Sequence, residues 1–271
     1  MLNSAIKSVL DQTIANWELI VVDDASSDGT YDGMQDWISK DERIYYFKNN
    51  FSLGGSGARN IGISKARGEY IAFLDDDDIW LPKKLEKQMD ILEEDGDAVA
   101  STCWFSANYL WGRCIVRPTN NPNLQEVLSR NILGSASLCM VRKSVLDELG
   151  GFSDNLPSAQ DWDFWVKLLK QGRVVSVPEV LVKYFVHQNV RISTNLTNKY
   201  IGFRRIYFKY KYSMLEKSRK EVLSIIAYIN SRRSLKLQNK LRWLRKSLSW
   251  SSDPRRKIGY IISFLFHLLK V

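Results

Sequence analysis

Two apolar runs in this chain stop abruptly at aspartate. "WELIVVDD" ends on Asp23 and Asp24, and "YIAFLDDDDIWLP" runs into four consecutive carboxylates, Asp75 to Asp78. Short β-branched runs of this kind suit strands covered on both faces. Helical patterns lie between them: Leu2, Ala5, Ile6, Val9 and Leu10 sit at i, i+3, i+4, i+7 and i+8, and Tyr31, Met34, Trp37 and Ile38 carry a second face. "RIYYF" reads as a further strand, and "GGSGARNIGISKARG" as a glycine loop entering a helix. Strand and helix alternating at this spacing predict right-handed βαβ units. The fold class is α/β, with a Rossmann-like, mostly parallel sheet flanked by helices.

In such a sheet both aspartate clusters fall at the carboxyl ends of strands, the edge where open α/β folds bind ligands. Crowded carboxylates raise one another's pKa unless a cation neutralises them, and oxygen ligands at this density suit Mg²⁺ or Mn²⁺. Ions of that kind keep few protein ligands and bridge to phosphate oxygens, so a diphosphate substrate is implied. Asp78 also precedes a helical pattern carried by Leu81, Leu85, Met89 and Leu92, and is expected to cap it. Asp23 and Asp24 alone would suit a turn before "SSDGT".

Composition matters chiefly through its asymmetry. The formal net charge is +9, yet residues 1–195 hold 20 Lys/Arg against 27 Asp/Glu, whereas residues 196–271 hold 19 against 3. Two domains are expected: an acidic α/β domain over 1–195, and a basic helical tail over 196–271. The tail ends in "RRKIGYIISFLFHLLKV", whose apolar run is too short to span a bilayer but long enough for an interfacial helix next to clustered cations. An anionic membrane surface is the expected partner. No recognised nucleic-acid module is present, and nucleic acid is not expected. Cys103, Cys114 and Cys139 lack metal-ligand spacing, and no secretory leader opens the chain. The expected location is cytoplasmic, at the inner face of the plasma membrane.

Three blocks in order give the sequence a closer resemblance. "AIKSVLDQTIANWELIVVDDASSDGT", "GGSGARNIGISKARGEYIAFLDDDDIWLPKKLEKQ" and "GGFSDNLPSAQDWDFWVKLLKQG" resemble the first helix and second strand, the central D-x-D block and the acceptor-side block of family-two glycosyltransferases with the GT-A fold. The likeness covers roughly residues 2–190. It implies metal-dependent transfer of a sugar, with inversion, from a nucleotide-diphosphate sugar such as a UDP-sugar to a saccharide or lipid-linked acceptor in cell-surface polysaccharide synthesis. By this resemblance Asp24 meets the nucleobase with Asp23 beside it, and Arg59 faces the nucleotide. Asp75 and Asp77 form the D-x-D: Asp77 is the direct metal ligand, Asp75 serves metal or ribose, and Asp76 serves ribose. Asp161 of "QDWDFW" is the general base that takes the acceptor hydroxyl proton, and Trp162 and Asp163 shape the acceptor site. "VLVKYFVHQNVRIST" resembles a segment in which a histidine follows a Tyr-Arg pair, which makes His187 a metal ligand, although Phe185 stands where that pattern has Arg.

The sequence departs from the pattern at its start, where a strand resembling V-S-V-I-I-P-T-Y-N would precede the first helix. Either Met1 is an internal methionine of a longer protein or the chain is a shortened product; its absence is expected to leave two neighbouring strands with unpaired edges. Three other readings stay open on the residues themselves: a haloacid-dehalogenase-like phosphatase, for which "DDDDI" is a near match, a metal-dependent nucleotidyltransferase, and a non-catalytic nucleotide-sugar-binding protein.

Overall fold

The computed structural model of the chain describes residues 1–109, 112–185 and 195–269. It opens with α1 (Leu2–Leu10), β1 (Leu19–Asp23), α2 (Thr30–Lys40), β2 (Ile44–Lys48), α3 (Gly54–Lys65), β3 (Tyr70–Ala72), β4 (Ile79–Trp80) and α4 (Lys84–Glu94). There follow β5 (Ala98–Tyr109), β6 (Gly112–Val116), α5 (Leu124–Ser129), a 3-10 turn at Ala136–Leu138, β7 (Met140–Arg142), α6 (Lys143–Leu149), α7 (Gln160–Gln171) and β8 (Arg173–Phe185). Four helices complete the described chain: α8 (Leu196–Tyr210), α9 (Glu216–Arg233), α10 (Leu237–Trp250) and α11 (Pro254–Leu269).

Packing divides the chain into two compact units. One is built from Met1–Pro122, Ile132–Asp154 and Phe164–His187, the other from Asn123–Asn131, Asn155–Asp163 and Gln188–Val271. The expected cut after residue 195 therefore misses two inserted segments. They belong to the helical unit for physical reasons: α5 buries Val127 and Leu128 there, and the Gln125 side chain accepts from Leu215 N and donates to Ser213 O.

In the first unit β1 and β2 form a parallel pair, Leu19 opposite Ile44 through Asp23 opposite Lys48. The remaining strands form a six-stranded sheet in the order β3-β7-β5-β8-β4, with β6 paired to β5. Of its pairings only β5 with β8 is parallel; β3–β7, β5–β7, β5–β6 and β4–β8 are antiparallel. The sheet is thus mixed rather than mostly parallel. Strands as short as β4 and β7 return without the helical crossover that a parallel neighbour needs. Among the described residues β1 pairs only with β2 and β3 only with β7, so the two sheets do not join. The Glu18 carboxylate links the approaches to both, accepting from Arg67 N at 2.6 Å and Gly68 N at 3.1 Å. Leu19, Tyr70 and Ala72 pack on one core with Val9, Trp80, Leu92 and Val182.

The helical faces fall largely as their spacing requires. In α1, Ala5, Ile6 and Val9 are buried; in α2, Met34 is buried while Tyr31 is exposed; in α7, Phe164, Trp165 and Leu168 are buried. Phe164 stacks on Phe152 at 4.0 Å and meets Phe73 edge-on. The helical unit has its own small core, Leu244, Tyr260 and Phe264 packed with Tyr228 and Leu248. Among the described residues no helix is long and apolar enough to cross a membrane.

Candidate active site

The end of β1 is built by local hydrogen bonding. Asp23 is buried; its carboxylate accepts from Ser26 N at 2.7 Å and from the Tyr46 hydroxyl, with Lys48 Nζ 3.9 Å away. Burial raises its pKa, but the Ser26 and Tyr46 hydrogen bonds outweigh that and hold it below the usual carboxylate range. Asp24 takes four donors: Asn49 Nδ2 (2.9 Å) and Leu53 N (2.8 Å) on Oδ1, Ser52 Oγ (2.6 Å) and Gly54 N (2.8 Å) on Oδ2. A carboxylate offers about four lone-pair positions, and these contacts use that capacity. Asp24 therefore ties the loop 49–54 and the start of α3 to the end of β1. Against the desolvation of its burial, the Leu53, Ser52, Asn49 and Gly54 donors lower its pKa.

The second cluster is built differently. Arg59 on α3 donates to Asp75 Oδ1 at 2.5 Å, and its guanidinium lies 5.3 Å from the Phe152 ring centroid. Asp75, Asp77 and Asp78 each bring a carboxylate oxygen within 4.8 Å of the others. Asp76 turns to solvent, and desolvation in these crowded surroundings, then the charges of Asp77 and Asp75, raise its pKa.

Asp78 corrects the capping expectation. The cap position of α4 is Lys83, while Asp78 lies just before β4 and is only 1% exposed. Both its oxygens are buried with no hydrogen bond of normal geometry. Burial, then the charges of Asp75 and Asp77, push its pKa up to about 7, opposed by the nearby Ser137 hydroxyl. A buried carboxyl with orphaned oxygens, beside two further carboxylates, has the donor set of a small hard cation. The residues present fit Mn²⁺ or Mg²⁺.

The acceptor-side residues separate. Asp161 is half-buried in the first turn of α7. Trp162 and Asp163, expected to shape the acceptor site, are buried. Trp162 donates its indole N–H to Val127 O, and Asp163 is held by Lys209 Nζ and the Tyr210 hydroxyl, each at 2.7 Å. An amphipathic helix beginning "QDWDFW" cannot by itself say that α5 and α8 cover these two side chains. His187 lies outside the described residues. Sequence reasoning also missed Ser137, which accepts a hydrogen bond from Asp75 N at 3.0 Å; nothing in "GSASLCM" marks it.

The sequence profile of glycosyl transferase family 2 matches residues 1–150, and that of glycosyltransferase like family 2 matches residues 118–246. The chain belongs to glycosyl transferase family 2. Family membership makes it a glycosyltransferase and sets aside the phosphatase and nucleotidyltransferase readings that strand-end aspartates left open. It is 32% identical over 215 residues to TuaG of Bacillus subtilis, a glycosyltransferase named for teichuronic acid biosynthesis, covering 78% of this chain and 82% of that one. It is 33% identical over 179 residues to the Escherichia coli UDP-Glc:alpha-D-GlcNAc-diphosphoundecaprenol beta-1,3-glucosyltransferase WfgD, covering 65% of this chain and 67% of that one. Among solved structures, S. aureus TarS 1-349 in complex with UDP-GlcNAc superposes with a TM-score of 0.69 at 16% identity, over 92% of this chain and 76% of that one. The fold is thus that of the GT-A glycosyltransferases.

Proposed function

We propose that this glycosyltransferase moves a sugar, with inversion, from a nucleotide-diphosphate donor, with UDP-sugars favoured, to a saccharide on a lipid diphosphate carrier, in the synthesis of a cell-surface polysaccharide. One observation carries the reading: Asp78, buried with neither oxygen in a hydrogen bond of normal geometry, converges with Asp75 and Asp77 at one end of the apolar run "YIAFL". The set would hold a divalent ion, Mn²⁺ or Mg²⁺, which when bound would supply positive charge for a departing diphosphate. Asp75, Asp77 and Asp78 hold it, and His187 is a further ligand in this reading. Arg59, braced by Asp75, faces the nucleotide. Asp23 fixes the end of β1, Asp24 shapes the loop 49–54 on the nucleoside side, and Asp76, turned to solvent, takes the ribose.

Asp161 serves as the general base. An inverting displacement needs a carboxylate to accept the acceptor hydroxyl proton as that oxygen attacks the anomeric carbon from the side opposite the diphosphate. It lies in the first turn of α7, where a helix dipole favours negative charge. The lipid-linked acceptor is supported by the name of WfgD, whose substrate carries a diphosphoundecaprenol group.

The second unit supplies the membrane contact, at the cytoplasmic face. Along α11, Tyr260 and Phe264 point into the small core, whereas Ile258, Ile261 and Ile262 are 58%, 42% and 48% exposed. Arg255 falls three and seven positions before Ile258 and Ile262, and Lys257 four before Ile261, so cations border the apolar stripe. Such a face suits an anionic bilayer surface. The test is nucleoside diphosphate release across a panel of donors with a lipid-linked acceptor, first with Mn²⁺ and then with excess chelator. Release from a UDP-sugar that stops on chelation is expected; equal release in chelator overturns the metal-dependent reading.

A further inference from the structure

Neighbouring carboxylates repel one another, so the convergence of Asp75, Asp77 and Asp78 calls for a scaffold. The acidic run is tied at both ends to the same short turn. Before it, Phe73 N donates to Cys139 O at 3.4 Å. Within it, Asp75 N donates to Ser137 Oγ at 3.0 Å. After it, the Trp80 indole N–H donates to Ser137 O at 3.0 Å.

The turn is itself fixed from behind. Gln88 Nε2 donates to Leu138 O at 2.9 Å, and Gln88 is in turn held by Lys84 Nζ at 2.5 Å, a fully buried ammonium lying 4.0 Å from the Trp80 ring centroid. Ala136, Ser137 and Leu138 are all buried. Gly134, at φ +92°, lets the chain fold over Leu138: a Cβ there would stand 2.4 Å from Leu138 Cδ1. These contacts make a firm platform, and the Ser137 side chain meets the acidic run.

We infer that Ser137, 62 residues along the chain from Asp75, is a positioning residue that brackets Asp75 to Asp78 and preorganises Asp75, Asp77 and Asp78 for a divalent cation. The inference rests on the metal-dependent reading above. Ser137 acts by fixing the Asp75 backbone, so that the carboxylates are already gathered for an ion.

The test uses the full chain with Mn²⁺ alone, its free fraction followed by electron paramagnetic resonance, together with hydrogen exchange at the Asp75 amide. Ser137→Ala is expected to weaken Mn²⁺ binding about tenfold, the loss of one well-placed hydrogen bond, and to speed exchange at Asp75; Ser137→Thr, which keeps the hydroxyl, should restore both. If Ser137→Ala does not fold, Trp80→Phe, which removes the donor to Ser137 O along with part of the indole ring and keeps an aromatic ring, should weaken Mn²⁺ binding in the same sense. Wild-type Mn²⁺ affinity and a protected Asp75 amide in Ser137→Ala would reduce Ser137 to a packing residue and leave the metal reading intact. Failure of the wild-type chain to bind Mn²⁺ would overturn both.

Discussion

Buried acids are treated in opposite ways in the two units. In the helical unit Asp163 is 0% exposed, yet Lys209 and Tyr210 take both its charge and its hydrogen-bonding capacity; Glu221, nearly as buried, accepts from Ser252 N and Oγ and pairs with Arg256. In the first unit Asp78 is just as buried and both its oxygens lack a hydrogen bond of normal geometry, with the Ser137 hydroxyl nearby and Asp75 and Asp77 beside it. A compensated buried carboxylate ties helices together. An uncompensated one stores a cost of desolvation that a bound cation relieves. Burial alone therefore does not distinguish a structural acid from a functional one; the company each acid keeps does.

The contrast can be broken most severely at Asp77. Asp77→Ala should lower turnover about a thousandfold or more, since the charge that stabilises the departing diphosphate is lost, while circular dichroism and melting stay near wild type. Undiminished turnover would return the acidic run to a solvated turn.

A second test uses pH. The folded pKa of Asp78, about 7, lies above its unfolded value of 3.8, so the folded state holds the extra proton between those limits. Without divalent metal, the contribution of Asp78 to stability should be fully present below about pH 4 and be lost as pH rises through about 7, a fall on the order of a few kcal/mol that runs against the acid-side losses from Asp23 and Asp24. Asp78→Asn should flatten that fall, and Mn²⁺ should reverse it in the wild type. Melting curves from pH 4 to 8, with and without Mn²⁺, decide this. A profile unchanged by Asp78→Asn would mean that its oxygens are satisfied after all.

Asp161→Asn should lower the chemical rate roughly a hundredfold with the donor KM little changed, as loss of a general base does. Single-turnover kinetics separate this from a binding defect, and wild-type rates would remove Asp161 from the mechanism. The smallest effect belongs to the compensated acid. Tyr210→Phe removes one donor to Asp163 and should cost about 1 kcal/mol of stability, some 2–4 °C in Tm, with turnover unaltered. A large loss of turnover there would make Asp163 functional and erase the distinction.

The sequence carried the contrast only in part. Helix faces such as Ala5, Ile6 and Val9 were legible because their period is local, and so were the aspartates that end β1 and follow β3, because an apolar run stopped at them. Asp78 was misread because a carboxylate before a helical pattern looks like a cap from either side; its burial comes from β4 pairing with β8, a contact between residues about a hundred positions apart. The antiparallel members of the sheet were invisible because β4 and β7 hold two and three residues, too few to show a period. Trp162 and Asp163 looked like surface chemistry because the residues that bury them, Val127, Phe203, Lys209 and Tyr210, come from elsewhere in the chain.

In the proposed reading the labour is divided: Asp75, Asp77 and Asp78 of the first unit would hold the ion, Asp161 of the second would be the base, and the isoleucine stripe of α11 would bring the enzyme to a lipid-linked acceptor. The most direct test compares nucleoside diphosphate release by the wild type, Asp77→Ala and the triple variant Ile258→Ser, Ile261→Ser, Ile262→Ser, each with the acceptor in anionic vesicles and with the same acceptor dispersed in detergent. Each exposed isoleucine contributes about 1 kcal/mol or more on burial in a bilayer, so the triple variant should lose at least tenfold on vesicles and nothing in detergent, whereas Asp77→Ala should be inactive in both. Equal rates for the triple variant and the wild type on vesicles, or activity of Asp77→Ala in detergent, would contradict that division.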